Sequence, residues 1–120
     1  MELSENFKVR EFACKDGSDK VLVCSELVSM LQAIRSHYGK PVAITSGYRT
    51  ATYNVSIKGA KDSYHVKGMA ADFTVKDVSP TKVRSDIEAG RIAGVASSKI
   101  GLGYYASFTH VDSRGKRSRF

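Results

Sequence analysis

No apolar run in this 120-residue chain approaches the roughly 18 to 20 residues needed to span a bilayer, so no membrane insertion is expected. The opening residues, Met1-Glu2-Leu3-Ser4-Glu5-Asn6, are acidic and polar where a secretory leader would be basic and then apolar. The expectation is synthesis in the cytoplasm without a signal peptide. Cysteine occurs only at Cys14 and Cys24, and neither lies in a Cys-x-x-Cys or similar zinc spacing. Free thiols, acting as small buried apolar residues, are expected in a chain that is not exported. No internal repeat, low-complexity segment or linker divides the chain, which predicts a single domain over 1–120. Acidic residues are the scarcer charge, 12 against 19 basic ones, for a net charge of +7. That balance favours an anionic partner: nucleic acid, anionic lipid or an anionic cell-wall polymer. Arg114-Gly115-Lys116-Arg117-Ser118-Arg119 carries much of the excess, but it lacks interleaved aromatics and no nucleic-acid motif occurs elsewhere. A solvated basic tail is the expectation there, and a nucleic-acid partner is not.

Hydrophobic residues make up 42% of the chain and charged ones 26%, an ordinary globular balance, and the length suffices for one core without staples. Phe7, Val9 and Phe12 open an irregular segment that should pack on that core, followed by a turn at Asp16-Gly17-Ser18-Asp19. Leu27, Val28, Leu31, Ile34 and Tyr38 recur at helical spacing, with Ser25 as N-cap and Gly39 then Pro41 as the stop. Val42-Ala43-Ile44-Thr45 reads as a buried strand, and Tyr53-Asn54-Val55 as a helical turn. Met69 to Val75 has the small and β-branched residues of a central strand. Ser79-Pro80 starts a helix of about ten residues that Gly90 closes. Ile100 to Tyr105 and Ser107 to Asp112 predict a hairpin with a tight turn near Ala106-Ser107.

The stretch Ser63-Tyr64-His65-Val66-Lys67-Gly68-Met69-Ala70-Ala71-Asp72 sets a His and an Asp around a glycine turn. Imidazole and carboxylate are both zinc ligands, and a catalytic zinc needs three protein ligands with one position left open. Only His37 and His110 remain to supply a third. His110 alternates with Asp112 on one strand face, which makes it the natural candidate. An isolated histidine is more often a solvated or hydrogen-bonded side chain. Asp72 argues for the ligand reading, because an acidic side chain inside an apolar strand must be paired or bind a metal. Gly47 permits a sharp turn after the first strand, so Arg49 could face a carboxylate or a developing oxyanion.

Ser63-x-His65-x-x-Gly68-x-Ala70-x-Asp72 followed by His110-x-Asp112 resembles the signature of the zinc peptidases that include D-alanyl-D-alanine carboxypeptidases, L-alanyl-D-glutamate endopeptidases of phage lysins, and the hedgehog fold. The short bacterial and phage branch is the one it most resembles. Gly39-Lys40-Pro41, Thr45 to Thr50, Tyr53-Asn54, Gly101 to Tyr105, and Phe7 with Glu11 to Cys14 extend the likeness over nearly the whole chain. The resemblance implies an α+β fold, with helices packed on a small antiparallel sheet. It further implies Zn2+ held by His65, Asp72 and His110, and peptidoglycan stem peptides or cross-links as substrate. It gives Arg49 a role in contacting substrate or steadying charge at the scissile carbonyl, and Ser63 a role in orienting the site. In several relatives a Glu or Asp stands three residues before the last histidine ligand; here that position is Ser107. Asp112 is then the candidate proton acceptor, or else a residue that orients a ligand. Tyr104 and Tyr105, beside the last ligand strand, are candidates to line the substrate groove, or form a strand pair with one ring in the core and one at the surface.

The function expected is metal-assisted amide hydrolysis by a monomeric, endolysin-like zinc peptidase of D,D or L,D type, acting on the cell wall in phage lysis or from a virion. A non-catalytic zinc-containing wall- or protein-binding module of hedgehog type is the alternative, favoured by the serine at 107. A basic nucleic-acid adaptor would leave Asp72 unexplained.

Overall fold

In the computed structural model, which describes residues 3–18, 20–61 and 63–120, the spacing of Leu27, Val28, Met30, Leu31 and Ile34 becomes the buried stripe of helix α1, Ser25–Tyr38. Cys24, not Ser25, is the N-cap: its backbone is extended while its carbonyl already accepts from the Val28 amide at 3.3 Å. Ser25 is therefore the first helical residue. Gly39 ends the helix in the left-handed region at φ 63°, where its amide donates to the Arg35 carbonyl.

The chain next enters the sheet, whose strands are β1 (Val42–Ser46), β2 (Ala70–Val75), β3 (Gly101–Tyr104), β4 (Thr109–Asp112) and β5 (Ser118–Arg119). Their spatial order is β1-β2-β4-β3-β5, antiparallel throughout except for the β3–β5 pair. Short helices α2 (Ala51–Ser56) and α3 (Pro80–Glu88) complete the α+β fold expected from the sequence. Both have a side-chain cap at the start: Thr50 accepts from the Tyr53 amide, and Ser79 accepts from the Lys82 amide.

One face of the sheet is apolar. Ala71, Phe73 and Val75 of β2, Val111 of β4 and Leu102 of β3 join Leu31 and Ile34 of α1 and Val83 and Ile87 of α3 in one core. Phe7 and Phe12, each 1% exposed, close it from the opening segment as expected. The alternation of a strand then turns Asp72, His110 and Asp112 to the other face. In β1 the register shifts between Ile44 and Ser46, so that Ile44 pairs with Phe73 while Ser46 pairs with Asp72. This bulge carries the chain from the core side of the sheet to the side that bears Asp72.

Two expectations change. The β3–β4 connection is wider than a tight turn, since pairing stops at Tyr104–Thr109 and residues 105–108 bridge the strands. Residues 114–119 are not a solvated tail. Arg119 hydrogen-bonds Glu88, Ile100 O and Ser97 O, and Arg117 also reaches Glu88. The basic residues thus fasten β5 beside β3, where the Ile100 and Ser97 carbonyls just before β3 and Glu88 at the end of α3 accept them. Cys14 and Cys24 are free thiols, the former buried.

Candidate metal centre and its cavity

Between Ser63 and Gly68 the chain coils tightly, with the Val66, Lys67 and Gly68 amides donating to the carbonyls of Ser63, Tyr64 and His65. Ser63 Oγ accepts from the His65 amide at 3.2 Å and fixes the start of the coil. Gly68 has φ +70°, and a Cβ there would stand 2.5 Å from the Leu22 carbonyl oxygen, so only glycine fits. The coil turns His65 inward, and β2 then brings Asp72 beside it. Cross-strand pairing places His110 directly opposite Asp72. Sequence reading and structure therefore bring the same three residues together: one potential ligand atom from each of His65, Asp72 and His110 lies within 4.8 Å of the others. All three are buried, at 3%, 7% and 7% exposure.

The hydrogen bonds fix which atoms face inward. His65 Nδ1 is 2.8 Å from the Gly47 carbonyl oxygen, which can only accept, so Nδ1 carries a proton and Nε2 points at Asp72 Oδ1, 3.3 Å away. His110 Nε2 lies 2.9 Å from Asp112 Oδ2, and its Nδ1 lies 2.9 Å from Asp72 Oδ1. Two ring nitrogens thus converge on one carboxylate oxygen, and their other nitrogens are each committed to an acceptor. Such a set needs positive charge at its centre. It fits a metal ion, because imidazoles that bind metals donate their second N–H to a carbonyl or carboxylate in this way. Burial raises the Asp72 carboxyl, but hydrogen bonds from His110 and His65 and their positive charge outweigh it and hold the group at about 2. Burial pulls His110 down while Asp112 and Asp72, through hydrogen bonds and charge, move it above the usual imidazole range.

Arg49 leaves the turn after β1 with its amide on the His65 carbonyl at 3.1 Å. Its Nε donates to Ser46 Oγ, its Nη1 donates to Asn54 Oδ1, and its Nη2 sits 3.5 Å from Asp72 Oδ2. The guanidinium is thereby aimed along the edge of the three-residue cluster. A cavity of about 600 Å3 opens above the cluster, lined also by Arg49, Ser63, Tyr64, Gly59 and Ala60, and by Tyr105, Phe108, Arg114 and Phe120. Tyr105 and Phe108 stack at 4.4 Å between ring centres, and Phe120 meets the edge of His110 at 5.0 Å.

Other expected residues fall elsewhere. Tyr104, a candidate to line the groove, points out of it: strand alternation separates it from Tyr105, its hydroxyl donates to Glu88 at 3.0 Å, and Arg84 covers its ring. Ser107 is exposed on the β3–β4 connection and forms no part of the cavity wall. Asp112 is fully buried and also lies off the cavity wall. Its oxygens accept from His110, the Gly101 amide, and the Arg114 amide, Nε and Nη2. Burial raises this carboxyl, but the bonds from Arg114 and His110 prevail and depress it strongly. A carboxylate so placed orients its neighbours and has no free oxygen to meet a substrate. His37 is exposed on α1 with its ring edge against Tyr38, away from the cluster. Arg114, assigned by sequence to a basic tail, was missed as a cavity residue. The signal was present, since 110, 112 and 114 continue one alternation. Phe108 carried the same signal, two residues before His110, and Phe120 carried none.

The family described as Peptidase M15 matches residues 3–112 of the chain. Among curated proteins, the peptidoglycan L,D-endopeptidase MepK of Escherichia coli (strain K12) is 35% identical over 81 residues, covering 62% of this chain and 41% of that protein. The probable peptidoglycan L,D-endopeptidase MepK of Haemophilus influenzae is 38% identical over 79 residues, covering 60% of this chain and 39% of that protein. The chain is thus similar to about two fifths of the length of these relatives.

Proposed function

Because the chain belongs to the peptidase M15 family, we propose that it is a zinc-dependent peptidase that hydrolyses amide bonds in peptidoglycan stem peptides or their cross-links. The observation that carries this reading is the convergence of His65, Asp72 and His110 beneath an open cavity, with both imidazoles oriented by acceptors behind them. These three residues would hold zinc, which supplies Lewis acidity and a lowered pKa of water when bound. The rest of the machinery belongs to the chain. Gly47 O and Asp112 hold the two rings in their binding tautomers. Arg49, fixed by Ser46 and Asn54, faces the negative charge that develops on the scissile carbonyl oxygen. Ser63 keeps the His65 coil in place, and Tyr105 with Phe108 gives the peptide an apolar surface to lie against. Of the two roles open to Asp112 from sequence, orienting His110 is the one we propose.

The names of the relatives make the L,D bond the first to test, with D,D cleavage as the other arm. We further propose that residues 1–120 act as one monomeric domain on the cell wall, in the manner of the phage lysins its motif resembles, without nucleic acid. Among the described residues, no helix is long and apolar enough to cross a membrane.

Purified protein incubated with defined muropeptides, followed by mass spectrometry of the products, tests the activity and identifies the bond. The expected result is one zinc per chain, cleavage that is lost on chelation and restored by zinc, and loss of both metal and cleavage in His65→Ala. Full cleavage by the chelated protein or by His65→Ala overturns the assignment. One observation favours a second reading, a hedgehog-like zinc-containing binding module: Asp72 is the only carboxylate on the cavity wall among the described residues. Zinc binding without cleavage of walls of several chemotypes would select it.

A further inference from the structure

We propose that Arg114 is a positioning residue of the metal centre, joining the two chain segments that carry its histidines; this rests on reading His65, Asp72 and His110 as that centre. Nε of Arg114 donates to Asp112 Oδ1 at 2.7 Å and Nη2 donates to Oδ2 at 2.7 Å, a two-point fork that fixes the plane of the carboxylate. The Arg114 amide adds a third bond to Oδ1 at 3.3 Å. Oδ2 is the oxygen that meets His110 Nε2, so the plane set by the guanidinium is the plane that sets the imidazole.

The same guanidinium reaches the second segment. It lies 4.3 Å from the centre of the Tyr64 ring and 5.4 Å from that of Phe120. Tyr64 is the residue before His65 in the coil, and Phe120 abuts His110. One side chain therefore touches the neighbour of one candidate ligand, the partner of the other, and the ring packed on that other. Burial makes the arrangement stiff: Asp112 is 0% exposed and the Arg114 side chain 14%. Lysine cannot reproduce it, because an ammonium offers no planar fork and cannot stack in the same way.

A residue that only stabilises the fold would change unfolding without changing the metal site of the folded protein. The test therefore compares Arg114→Gln, Arg114→Lys and a control, Arg117→Gln, which loses an exposed ion pair to Glu88 and no contact to Asp112, Tyr64 or Phe120. Zinc affinity is measured by competition with a chromophoric chelator, the visible spectrum is taken after Co2+ substitution, and urea unfolding of the metal-free proteins reports stability. Arg114→Gln should weaken zinc binding by about ten- to a hundredfold and shift the cobalt bands, with Arg114→Lys between it and the parent. Arg117→Gln should bind within about twofold of the parent. A folded Arg114→Gln or Arg114→Lys protein with parental zinc affinity and cobalt spectrum would overturn the proposal. The parent and His65→Ala are run alongside: if the parent takes up no zinc, or His65→Ala binds it equally well, the metal-centre reading itself fails. If those two behave as expected and the Arg114 variants do not, only the role of Arg114 is refuted.

Discussion

Replacing Gly101 with alanine separates two opposed effects by sign. Gly101 sits in β3 directly across from Asp112, without a positive φ, and a strand glycine exchanged for alanine with nothing in the way stabilises a protein by about 0.4–1 kcal/mol. Here a Cβ would lie 2.2 Å from Asp112 Oδ2 and 2.5 Å from Cγ and Oδ1, inside the 3.0 Å that real Cβ contacts respect. The carboxylate must then withdraw by about 0.8 Å or more. It is 0% exposed and held by Gly101, His110 and Arg114 at 2.7–3.3 Å, so withdrawal stretches several of these bonds past useful length. Weakening a buried, charged hydrogen-bond set costs about 2–4 kcal/mol, a large share of the roughly 5–15 kcal/mol available to a domain. At about 4 °C per kcal/mol, Tm should fall by about 8–16 °C. Thermal unfolding followed by circular dichroism, with urea titration to confirm the free energy, provides the measurement. A Gly101→Ala protein as stable as the parent, or more so, would show that the packing of Asp112 against β3 does not constrain the site.

Ser79→Ala removes the cap that accepts the Lys82 amide at 3.2 Å and should lower stability by about 1 kcal/mol in urea unfolding, without altering zinc uptake. Asp86 is 2% exposed and takes hydrogen bonds from Tyr38, Lys82 and Arg91; the Tyr38 bond first, then those of the two cations, outweigh burial and hold its carboxyl at about 2, below the ordinary 3.8. A carboxyl depressed on folding stabilises above about pH 4 and loses that contribution as pH falls towards 2, so the parent should exceed Asp86→Asn by about 1 kcal/mol at neutral pH, discounted because Lys82 and Arg91 are over half exposed, and the gap should close in acid. Urea midpoints measured from pH 7 to pH 2 check this. Tyr104→Phe should leave KM for a muropeptide unchanged, since its hydroxyl serves Glu88, whereas Tyr105→Ala should raise KM several-fold by removing part of the cavity wall.

What the sequence made legible depended on the range of the cause. Helix α1 was readable because its apolar stripe, its glycine stop and Pro41 act within one or two turns, and α3 because Ser79-Pro80 is a local start signal. Asp72 announced itself as anomalous in a strand that is otherwise apolar, and that anomaly is an energetic one visible in a single segment. The choice of Ser25 over Cys24 as cap failed because helix starts follow backbone geometry that side-chain preference only biases. Strand β5 was invisible for a different reason. Two residues paired in parallel with β3 have no periodicity to detect, and what holds Arg119 there is Glu88, 31 positions away in sequence. Tyr104 and Tyr105 part company because neighbours along a strand face opposite ways, and neither ring enters the core.

The charge of the chain changes meaning once those long-range pairs are known. Arg114, Arg117 and Arg119 are matched by Asp112 and Glu88, so three of the four basic residues in the run are paired within the fold. Screening will not release them easily where the partners are buried, as Asp112 is. The field offered to an anionic polymer must then draw on residues elsewhere, among them lysines adjacent in sequence to the cavity wall. Exposed Lys58 and Lys61 flank Gly59 and Ala60 of the cavity wall, and exposed Lys67 lies 4.6 Å over the Tyr64 ring. Positive potential set around the opening of a cavity raises the local concentration of an anionic chain where its peptides must enter, which a distant tail would not do. Under the proposed peptidase function the net charge of +7 and the His-Asp-His cluster would serve one end: the first would gather the polymer at the mouth of the cavity, and the second would act on the peptide that reaches its floor.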